Sequence, residues 1–318
     1  MNDSAPTVSI VIPVHNCRRT ISKCLDSLCR LDHSAYEVII VDDGSTDGTP
    51  EICDSYDGVR VIRLPRGGPS RARNVGIRAA SGELVAFTDG DCIADREWLK
   101  ELEKGFVGPD VAGVGGDQRS PEDESSTGKS LQEFLKAIGF MTDYIKTGNL
   151  TKETDHNPSC NAAYRRSVLE KVGGFDESLW PGEDVELDLR IRRSGHKLMY
   201  NPCAVVGHYR PSDYRGFARM MRRYGACQWP LVWRYGPFRK IHFEPAILLL
   251  GLLGLAALVV SYPGTWPLLL LPWPIIFLYF LLKTGQCRKA VLFSFLMLLT
   301  LATWNWGFFN GWRRRPLG

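Results

Sequence analysis

The sequence predicts an α/β domain that is followed by an α-helical membrane domain. Over residues 1–235, runs of β-branched residues alternate with helical patterns, which is typical of a parallel sheet with crossover helices. Beyond residue 245, long stretches carry no charged side chain. The chain has 318 residues, of which 44% are hydrophobic and 23% charged, so it is long enough for two such units. We place their boundary after residue 235, with the membrane domain over 236–318.

The alternating half predicts strands and helices in a definite chain order. The strand patterns are Val8–Ile12, Glu37–Val41, Gly58–Leu64 and Glu83–Thr88, and the helical patterns are Thr20–Leu31 and Pro69–Ala80. In a sheet of this kind, ligands bind beyond the carboxyl ends of the strands. The residues that follow each strand are therefore the candidates for a functional site.

The candidates at these strand ends are Pro13, the polar residue Asn16 and the acidic residues Asp42, Asp43, Asp89 and Asp91. Asp89 and Asp91 are two positions apart, so in an extended chain both carboxylates point to one side. Such a pair would hold a hard divalent cation, Mg²⁺ or Mn²⁺, and a turn that caps the next helix is the alternative. Asp42 and Asp43 would either stabilise a turn or accept hydrogen bonds from a ribose or a base.

Basic residues gather where the second helix begins. Arg71 and Arg73 follow Gly67 and Gly68, next to the predicted helix start at Pro69. Forked guanidinium donors and backbone amides at a helix start would together bind a diphosphate. Exposed arginines on an amphipathic helix are the alternative interpretation.

Several other protein classes are disfavoured. Gln118 stands where a dinucleotide-binding motif starting at Gly113 needs glycine, and Asp123 stands where a P-loop ending at Ser130 needs it. The net charge of +4 arises beside the apolar segments and not in the α/β domain, so no nucleic-acid partner is predicted. The nine cysteines show no zinc-binding spacing and are predicted to be reduced thiols in a cytosolic domain.

The predicted membrane domain contains three apolar segments, 245–262, 263–282 and 290–312. Charged residues are missing from Pro245 to Leu282 and again from Ala290 to Trp312. One helical pass takes about 20 residues, so the first stretch is long enough for two passes with a turn between them. A buried core helix is the alternative, and it seldom needs so many uncharged residues. Prolines at 267, 272 and 274 make the second segment the least regular.

Lysine and arginine predict the orientation of these segments. The basic residues nearest to them are Arg234, Arg239, Lys240, Lys283, Arg288 and Lys289. They place the N-terminal domain in the cytoplasm, as part of a multi-pass protein of the inner or plasma membrane. Residues 313–315, all arginine, would then lie outside against the rule, so either the tail is an exception or one segment does not cross.

Five blocks of the chain, in order and at the expected spacing, carry a resemblance to a known family. They are SIVIPVHN, VDDGSTDGT, SRARNVGIRAASGELVAFTDGD, NAAYRRSVLEKVGGFDESL and GEDVELDLRIRRSGHKLMYNPCAVVGH. With these blocks the chain resembles the family 2 glycosyltransferases of the GT-A fold. The resemblance implies a Rossmann-like nucleotide-binding half and an acceptor-binding half. It also implies a nucleotide-sugar donor, a divalent metal and transfer with inversion.

The resemblance further implies roles for single residues. Asp42 would contact the nucleotide base, Asp89 the ribose or the metal, and Asp91 the metal. Asp184 would be the catalytic base, with Glu183 as the rival base unless it caps the helix that follows. The rest of the predicted nucleotide-sugar site consists of Pro13, Asn16, Asp43, Arg71 and Arg73. His208 is expected as a third metal ligand, as in some GT-A enzymes, or as a structural histidine at a strand end.

Two departures from the family pattern refine the expectation. The QxxRW motif of processive members does not follow the acid pair, where the chain has only Arg222-Arg223-Tyr224 and a separate Gln228-Trp229. Transfer of a single sugar is therefore predicted. Cys160 stands where a glycine often precedes the Asn-Ala block.

We therefore expect a membrane-anchored, inverting glycosyltransferase that contacts membrane lipid. It would move one sugar from a nucleotide-sugar, a UDP-sugar by preference, to a lipid-linked or cell-envelope glycan acceptor. Two alternatives stay open, an enzyme that charges polyprenyl phosphate and a non-catalytic membrane scaffold that retains a nucleotide-sugar pocket.

Overall fold

The computed structural model of the protein describes residues 7–140 and 151–313. Their strands are β1 (Val8–Val14), β2 (Tyr36–Asp43), β3 (Val59–Leu64), β4 (Leu84–Thr88), β5 (Cys92–Ala94), β6 (Val111–Arg119), β7 (Lys152–Thr154), β8 (Asn161–Arg165) and β9 (Lys197–His208). Their α-helices are α1 (Ile21–Leu28), α2 (Thr49–Asp54), α3 (Pro69–Ala79), α4 (Trp98–Lys104), α5 (Ser126–Ala137), α6 (Arg166–Val172), α7 (Glu183–Arg193), α8 (Tyr214–Tyr235), α9 (Glu244–Ser261), α10 (Pro272–Thr284) and α11 (Cys287–Asn310). The chain divides into two compact units, Met1–Gln132 with Met141–Arg210, and Glu133–Phe140 with Pro211–Gly318.

A mixed sheet forms the framework of the first unit. The described strands are ordered β3-β2-β1-β4-β8-β6-β9-β5, and β7 pairs with β9. β1 runs parallel to β2 and β4, β2 runs parallel to β3, and β8 is antiparallel to both β4 and β6. The carboxyl ends of β1, β2 and β4 therefore meet at one edge of the sheet. The predicted α/β fold is confirmed.

The sheet is buried on both faces, as β1 shows. Successive side chains of a strand point to opposite faces. Ile10 belongs to the apolar cluster that contains Trp98 of α4. Val11 belongs to the other cluster, which contains Leu187 of α7 as well as Phe87 of β4. Helices cover both sides, which gives the edge with the acidic residues a rigid support.

Two strands extend further than the sequence predicts. β1 continues beyond Ile12 through Pro13, which is buried and in register with Val41. A proline can be accommodated because only one backbone donor is lost, close to the end of the strand. β2 continues to Asp43, so Asp42 and Asp43 are the last residues of a strand and not part of a turn.

The second unit contains three helical segments that are long and apolar enough to cross a membrane. They are Lys240–Ser261, Pro263–Thr284 and Cys287–Arg313, with mean hydropathies of 2.3, 1.8 and 1.5. The middle segment begins as a 3₁₀ helix over Pro263–Leu270 before α10 starts. Its prolines explain this irregular start, since each one removes a backbone donor. Residues 314 and 315 of the basic tail lie outside the described residues.

Glycines allow α8 and α11 to pack very closely. A Cβ atom on Gly225 would lie 1.9 Å from the carbonyl oxygen of Trp304, and one on Gly307 would lie 2.1 Å from that of Arg222. Small residues of this kind let two helix backbones touch. Any larger residue at either position would push the two helices apart.

Candidate active site

The loops after β1 and β2 are tied to each other at the carboxyl edge of the sheet. Thr46 donates its backbone N–H to Asn16 Oδ1 at 2.8 Å, and Asn16 donates its own N–H to Ser45 Oγ at 2.9 Å. Asn16 has a φ of 54°, in the left-handed region that asparagine tolerates better than most residues. Asn16 therefore holds the two loops that border the candidate donor site.

Asp42 and Asp43 are buried and stabilise this edge. Asp42 Oδ1 accepts the Ser45 N–H at 3.1 Å. Asp43 accepts the N–H groups of Gly67 and Gly68 at 2.6 and 2.8 Å, which fixes the loop ahead of α3. Sequence analysis considered backbone amides at this helix start as ligands of a diphosphate. Those of Gly67 and Gly68 already donate to the Asp43 carboxylate.

The two predicted arginines have different surroundings. Arg71 is partly exposed and donates to the carbonyl oxygen of Pro65 at 3.2 Å. Arg73 is buried, with 3% of its surface exposed. Its guanidinium donates to Asp89 and to Glu183, each at 2.8 Å. Arg73 thus links the acid at the end of β4 to the acid pair at the start of α7.

Arg73 and its two acidic partners stabilise one another's charges. Burial works against the charge of the guanidinium, but Asp89 and Glu183 outweigh it and hold the pKa of Arg73 above its ordinary value. A buried charge without a partner would cost several kcal/mol. The three side chains are therefore fixed as a group.

The acid pair begins α7, directly after Gly182, whose φ is 104°. Burial and the charge of Asp184 raise the pKa of Glu183 to about 7, against the opposing effect of Arg73. Among the described residues, Glu183 Oε2 has no hydrogen-bond partner. Asp184 differs because one-fifth of its side chain is exposed. The two acids are thus neighbours in sequence with unlike environments.

His156 lies between Asp184 and a second carboxylate of α7. His156 Nδ1 is 2.8 Å from Asp188 Oδ2, and His156 Nε2 is 4.0 Å from Asp184 Oδ2. Asp188 is fully buried and also accepts from the Tyr164 hydroxyl and the Asn157 N–H. Because Asp184 and Asp188 are four residues apart, they share one face of the helix. Asp188 therefore anchors His156 next to Asp184.

Asp91 and His208 form a second pair near the sheet edge. His208 Nε2 is 3.6 Å from Asp91 Oδ1, and His208 Nδ1 is 3.1 Å from Gln118 Oε1. Burial and Arg210 lower the pKa of His208, but Asp91 and Cys160 raise it more, to about 10. A carboxylate oxygen beside an imidazole nitrogen is a donor set that suits Mn²⁺. The residues present fit a divalent metal, which would take the place of the proton on Nε2.

Two groups of contacts join five of the predicted site residues. Arg73 joins Asp89 to Glu183, and Asp91 faces His208. Sequence analysis missed His156. The one available signal was the spacing of Asp184 and Asp188 on a helix, which indicates two acids on one face but not their partner.

The raised pKa of Glu183 predicts a pH dependence of stability. The folded state holds a proton on Glu183 up to about pH 7, whereas in an unfolded chain Glu183 releases it near its ordinary pKa of 4.5. Between these values folding takes up a proton, so the contribution of Glu183 to stability decreases as pH rises. Glu183→Gln removes this effect. In thermal unfolding, the melting temperature of Glu183→Gln minus that of wild type should therefore be larger at pH 7 than at pH 5. A difference that stays constant with pH would contradict the assignment.

Comparison with solved structures identifies the fold class. A mannosyltransferase, PcManGT from Pyrobaculum calidifontis, solved in complex with GDP-Man and Mn²⁺, matches with a TM-score of 0.61. The match covers 98% of this chain and 88% of that chain at 21% sequence identity. The protein thus has the GT-A fold of glycosyltransferases, followed by helices apolar enough to span a membrane.

Comparison of sequences identifies the family. The family model for glycosyl transferase family 2 matches residues 9–173. The chain is 33% identical over 215 residues to glycosyltransferase AglE of Haloferax volcanii, covering 65% of this chain and 68% of AglE. It is also 33% identical to the pre-mycofactocin glycosyltransferase of Mycobacterium tuberculosis, covering 72% of this chain but only 48% of that protein. The chain belongs to glycosyl transferase family 2 and is a glycosyl transfer enzyme, so the scaffold alternative is not supported.

Proposed function

We propose that the protein transfers one sugar from a nucleotide-sugar, a UDP-sugar, to a lipid-linked or cell-envelope glycan at the cytoplasmic membrane face, with inversion. The observation that carries this proposal is the bridge formed by Arg73. A single buried guanidinium contacts both Asp89, on the predicted donor side, and Glu183, in the predicted catalytic pair. Donor binding and catalysis are thereby held in one fixed arrangement.

The donor would bind at the carboxyl edge of the sheet. In this proposal Asp42 contacts the nucleotide base, while Pro13, Asn16 and Asp43 shape the edge. Arg71, which is partly exposed, is available to contact the diphosphate. Arg73 would act on the diphosphate through Asp89, because its guanidinium is buried and directed at the two carboxylates.

The metal, Mg²⁺ or Mn²⁺, would be held by Asp91 and His208, with Asp89 contributing from the same loop. The presence of Mn²⁺ in the complex of the structurally similar mannosyltransferase supports this part of the proposal. When bound, such an ion stabilises the negative charge that develops on the departing nucleotide diphosphate. Gln118 contacts His208 Nδ1 and so orients the ring, leaving Nε2 directed at Asp91.

Asp184 is the better candidate for the catalytic base. It is partly exposed, whereas Glu183 is buried against Arg73. Asp184 would take the proton of the acceptor hydroxyl while that oxygen attacks the anomeric carbon. The bond from this carbon to the diphosphate oxygen breaks on the opposite face, which inverts the configuration. His156 would be a positioning residue that is itself held by Asp188.

The membrane part of the proposal rests on the second unit. In each of the first two candidate spans, only 6% of the most apolar stretch is buried, against 44% in the third. The first two spans therefore leave nearly all of their apolar surface exposed. Such a surface is expected to contact lipid. The basic residues that flank these helices favour a cytoplasmic catalytic domain. Anchoring there raises the effective concentration of the enzyme near a lipid-linked acceptor.

The proposal is tested by following a labelled donor into lipid. Sealed inside-out vesicles from cells that produce the protein are given a UDP-sugar labelled in the sugar, with Mn²⁺. We expect label in the organic-extractable lipid, as one added sugar of inverted anomeric configuration. Vesicles from cells that produce Asp91→Asn serve as the control. A ladder of products, a retained anomer, or equal labelling of sealed right-side-out vesicles would contradict the corresponding part of the proposal.

A further inference from the structure

Two cysteines and a histidine lie together beside the candidate metal pair. Cys92, Cys160 and His208 each offer one ligand atom, and these three atoms all lie within 4.8 Å of one another. The cysteine spacing in the sequence shows no zinc-binding pattern. Cys92 and Cys160 are therefore brought together only by the fold. Both are buried and neither is in a disulfide.

We infer that this cluster is a second metal site, selective for a thiophilic ion such as Zn²⁺, and that its occupation inhibits the enzyme because His208 can then no longer act as a ligand of the donor-side metal. The binding of the ion rests on the cluster alone. Its inhibitory effect rests on the proposed function, in which His208 and Asp91 hold the donor-side metal.

The backbone holds the ligands in place before any ion arrives. Cys92 of β5 and His208 of β9 are directly opposite in an antiparallel pair. Cys160 immediately precedes β8, and its Sγ lies 3.8 Å from His208 Nδ1. Ligand atoms about 2.3 Å from a tetrahedral Zn²⁺ are about 3.8 Å from one another. The three atoms here lie within 4.8 Å of one another, so side-chain shifts of up to about 1 Å, possible by χ rotation, would complete the site.

The chemistry of the donor set favours one group of ions. Two thiolates and an imidazole select Zn²⁺ over Mg²⁺ and Mn²⁺, which prefer oxygen ligands. Three protein ligands with water in the fourth position form a familiar tetrahedral zinc arrangement. Binding releases the two thiol protons, together with the proton on His208 Nδ1, to solvent. The neighbouring Asp91 side chain, 3.6 Å from His208 Nε2, is 45% exposed.

The two nitrogens of His208 explain why the sites exclude each other. Nδ1 faces Cys160 at 3.8 Å and Gln118 Oε1 at 3.1 Å, so an ion on Nδ1 would replace the Gln118 contact, whereas Nε2 faces Asp91. When Zn²⁺ binds Nδ1, the remaining ring proton of the neutral imidazole must reside on Nε2. An Nε2–H group donates to Asp91 but cannot ligate a metal. The thiophilic ion therefore disables the imidazole as a ligand without touching the donor pocket.

The test uses the reduced, metal-free full-length protein in detergent, with Co²⁺ alone as a spectroscopic probe for the zinc position. Co²⁺ bound to thiolates gives intense charge-transfer absorption in the near ultraviolet. We expect this band in wild type, saturating at one equivalent and lost on addition of Zn²⁺. Cys160→Ala should lose it. Cys53→Ala, which removes another buried cysteine outside the cluster, should keep it.

The second experiment measures the rate of sugar transfer with Mn²⁺, once with and once without added Zn²⁺. The ratio of the two rates is compared between variants. Wild type and Cys53→Ala should be inhibited at the Zn²⁺ concentration that displaces Co²⁺, and Cys160→Ala should need at least tenfold more. No charge-transfer band in wild type, or an equal band in Cys160→Ala, overturns the site. A band without inhibition overturns the inhibitory effect alone. Failure of the proposed function appears separately, as no transfer in any variant while the band is still present.

Discussion

Asp184→Asn is expected to reduce turnover by roughly 10²–10⁴-fold while nucleotide binding is retained, because loss of a general base has an effect of this size. The substitution keeps the shape of the side chain and removes its ability to accept a proton. Within the described residues Asp184 forms no ion pair with Arg73 or Asp91; its carboxylate accepts the N–H groups of Val185 and Ser159 at 2.8 and 3.4 Å and lies 4.0 Å from His156 Nε2. The donor side should therefore be unaffected.

Two measurements separate this result from simple damage to the site. Turnover is measured with the labelled donor, and nucleotide binding is measured as the increase in melting temperature on addition of UDP with Mn²⁺. At 100 times its Kd a ligand stabilises the folded state by about 2.7 kcal/mol, which is readily detected. Glu183→Gln is the matched variant for the rival base. Asp184→Asn with more than about a hundredth of wild-type turnover would refute the assignment.

Arg73→Gln is expected to have the largest effect on stability, because it leaves two carboxylates without their shared partner. Removing one member of a buried ion pair typically costs about 3–5 kcal/mol. Glu183 is buried and its pKa is already raised to about 7, so without Arg73 it would stay protonated to still higher pH. The loss of stability should therefore be larger at pH 8 than at pH 6.

Arg78→Gln is the control for this prediction, since Arg78 lies on the same helix, α3, and is exposed. Thermal unfolding of the full-length protein in detergent, at pH 6 and pH 8, gives the comparison. A similar, small loss in Arg73→Gln and Arg78→Gln would show that the ion pairs of Arg73 do not stabilise the fold. Equal losses at both pH values would contradict the role assigned to Glu183.

Much of the fold could be predicted because its signals are local. β-Branched runs mark the strands, and the uncharged stretches mark the helices of the second unit. The acidic residues at the strand ends follow from the general rule for α/β sheets. Strand ends were harder to predict, since β1 continues through Pro13 to Val14, beyond the predicted end at Ile12.

The contacts of the site could not be predicted because they depend on the strand order. Arg73 and Glu183 are 110 residues apart, and Cys160 and His208 are 48 apart. These contacts require β8 to insert between β4 and β6, and no local pattern encodes that order. His156 likewise belongs to no motif, and only the packed structure places it beside Asp188 and Asp184.

The close packing of α8 and α11 has a mechanical consequence. With Gly225 and Gly307 in contact with the opposite backbones, the two helices cannot slide past each other without a steric clash. In the proposed membrane-anchored enzyme, any tilt or depth change that a bilayer imposes on α11 would therefore be transmitted to α8. Bilayer thickness would in this way set the height of α8, and a thinner or thicker membrane would displace it as one piece with α11.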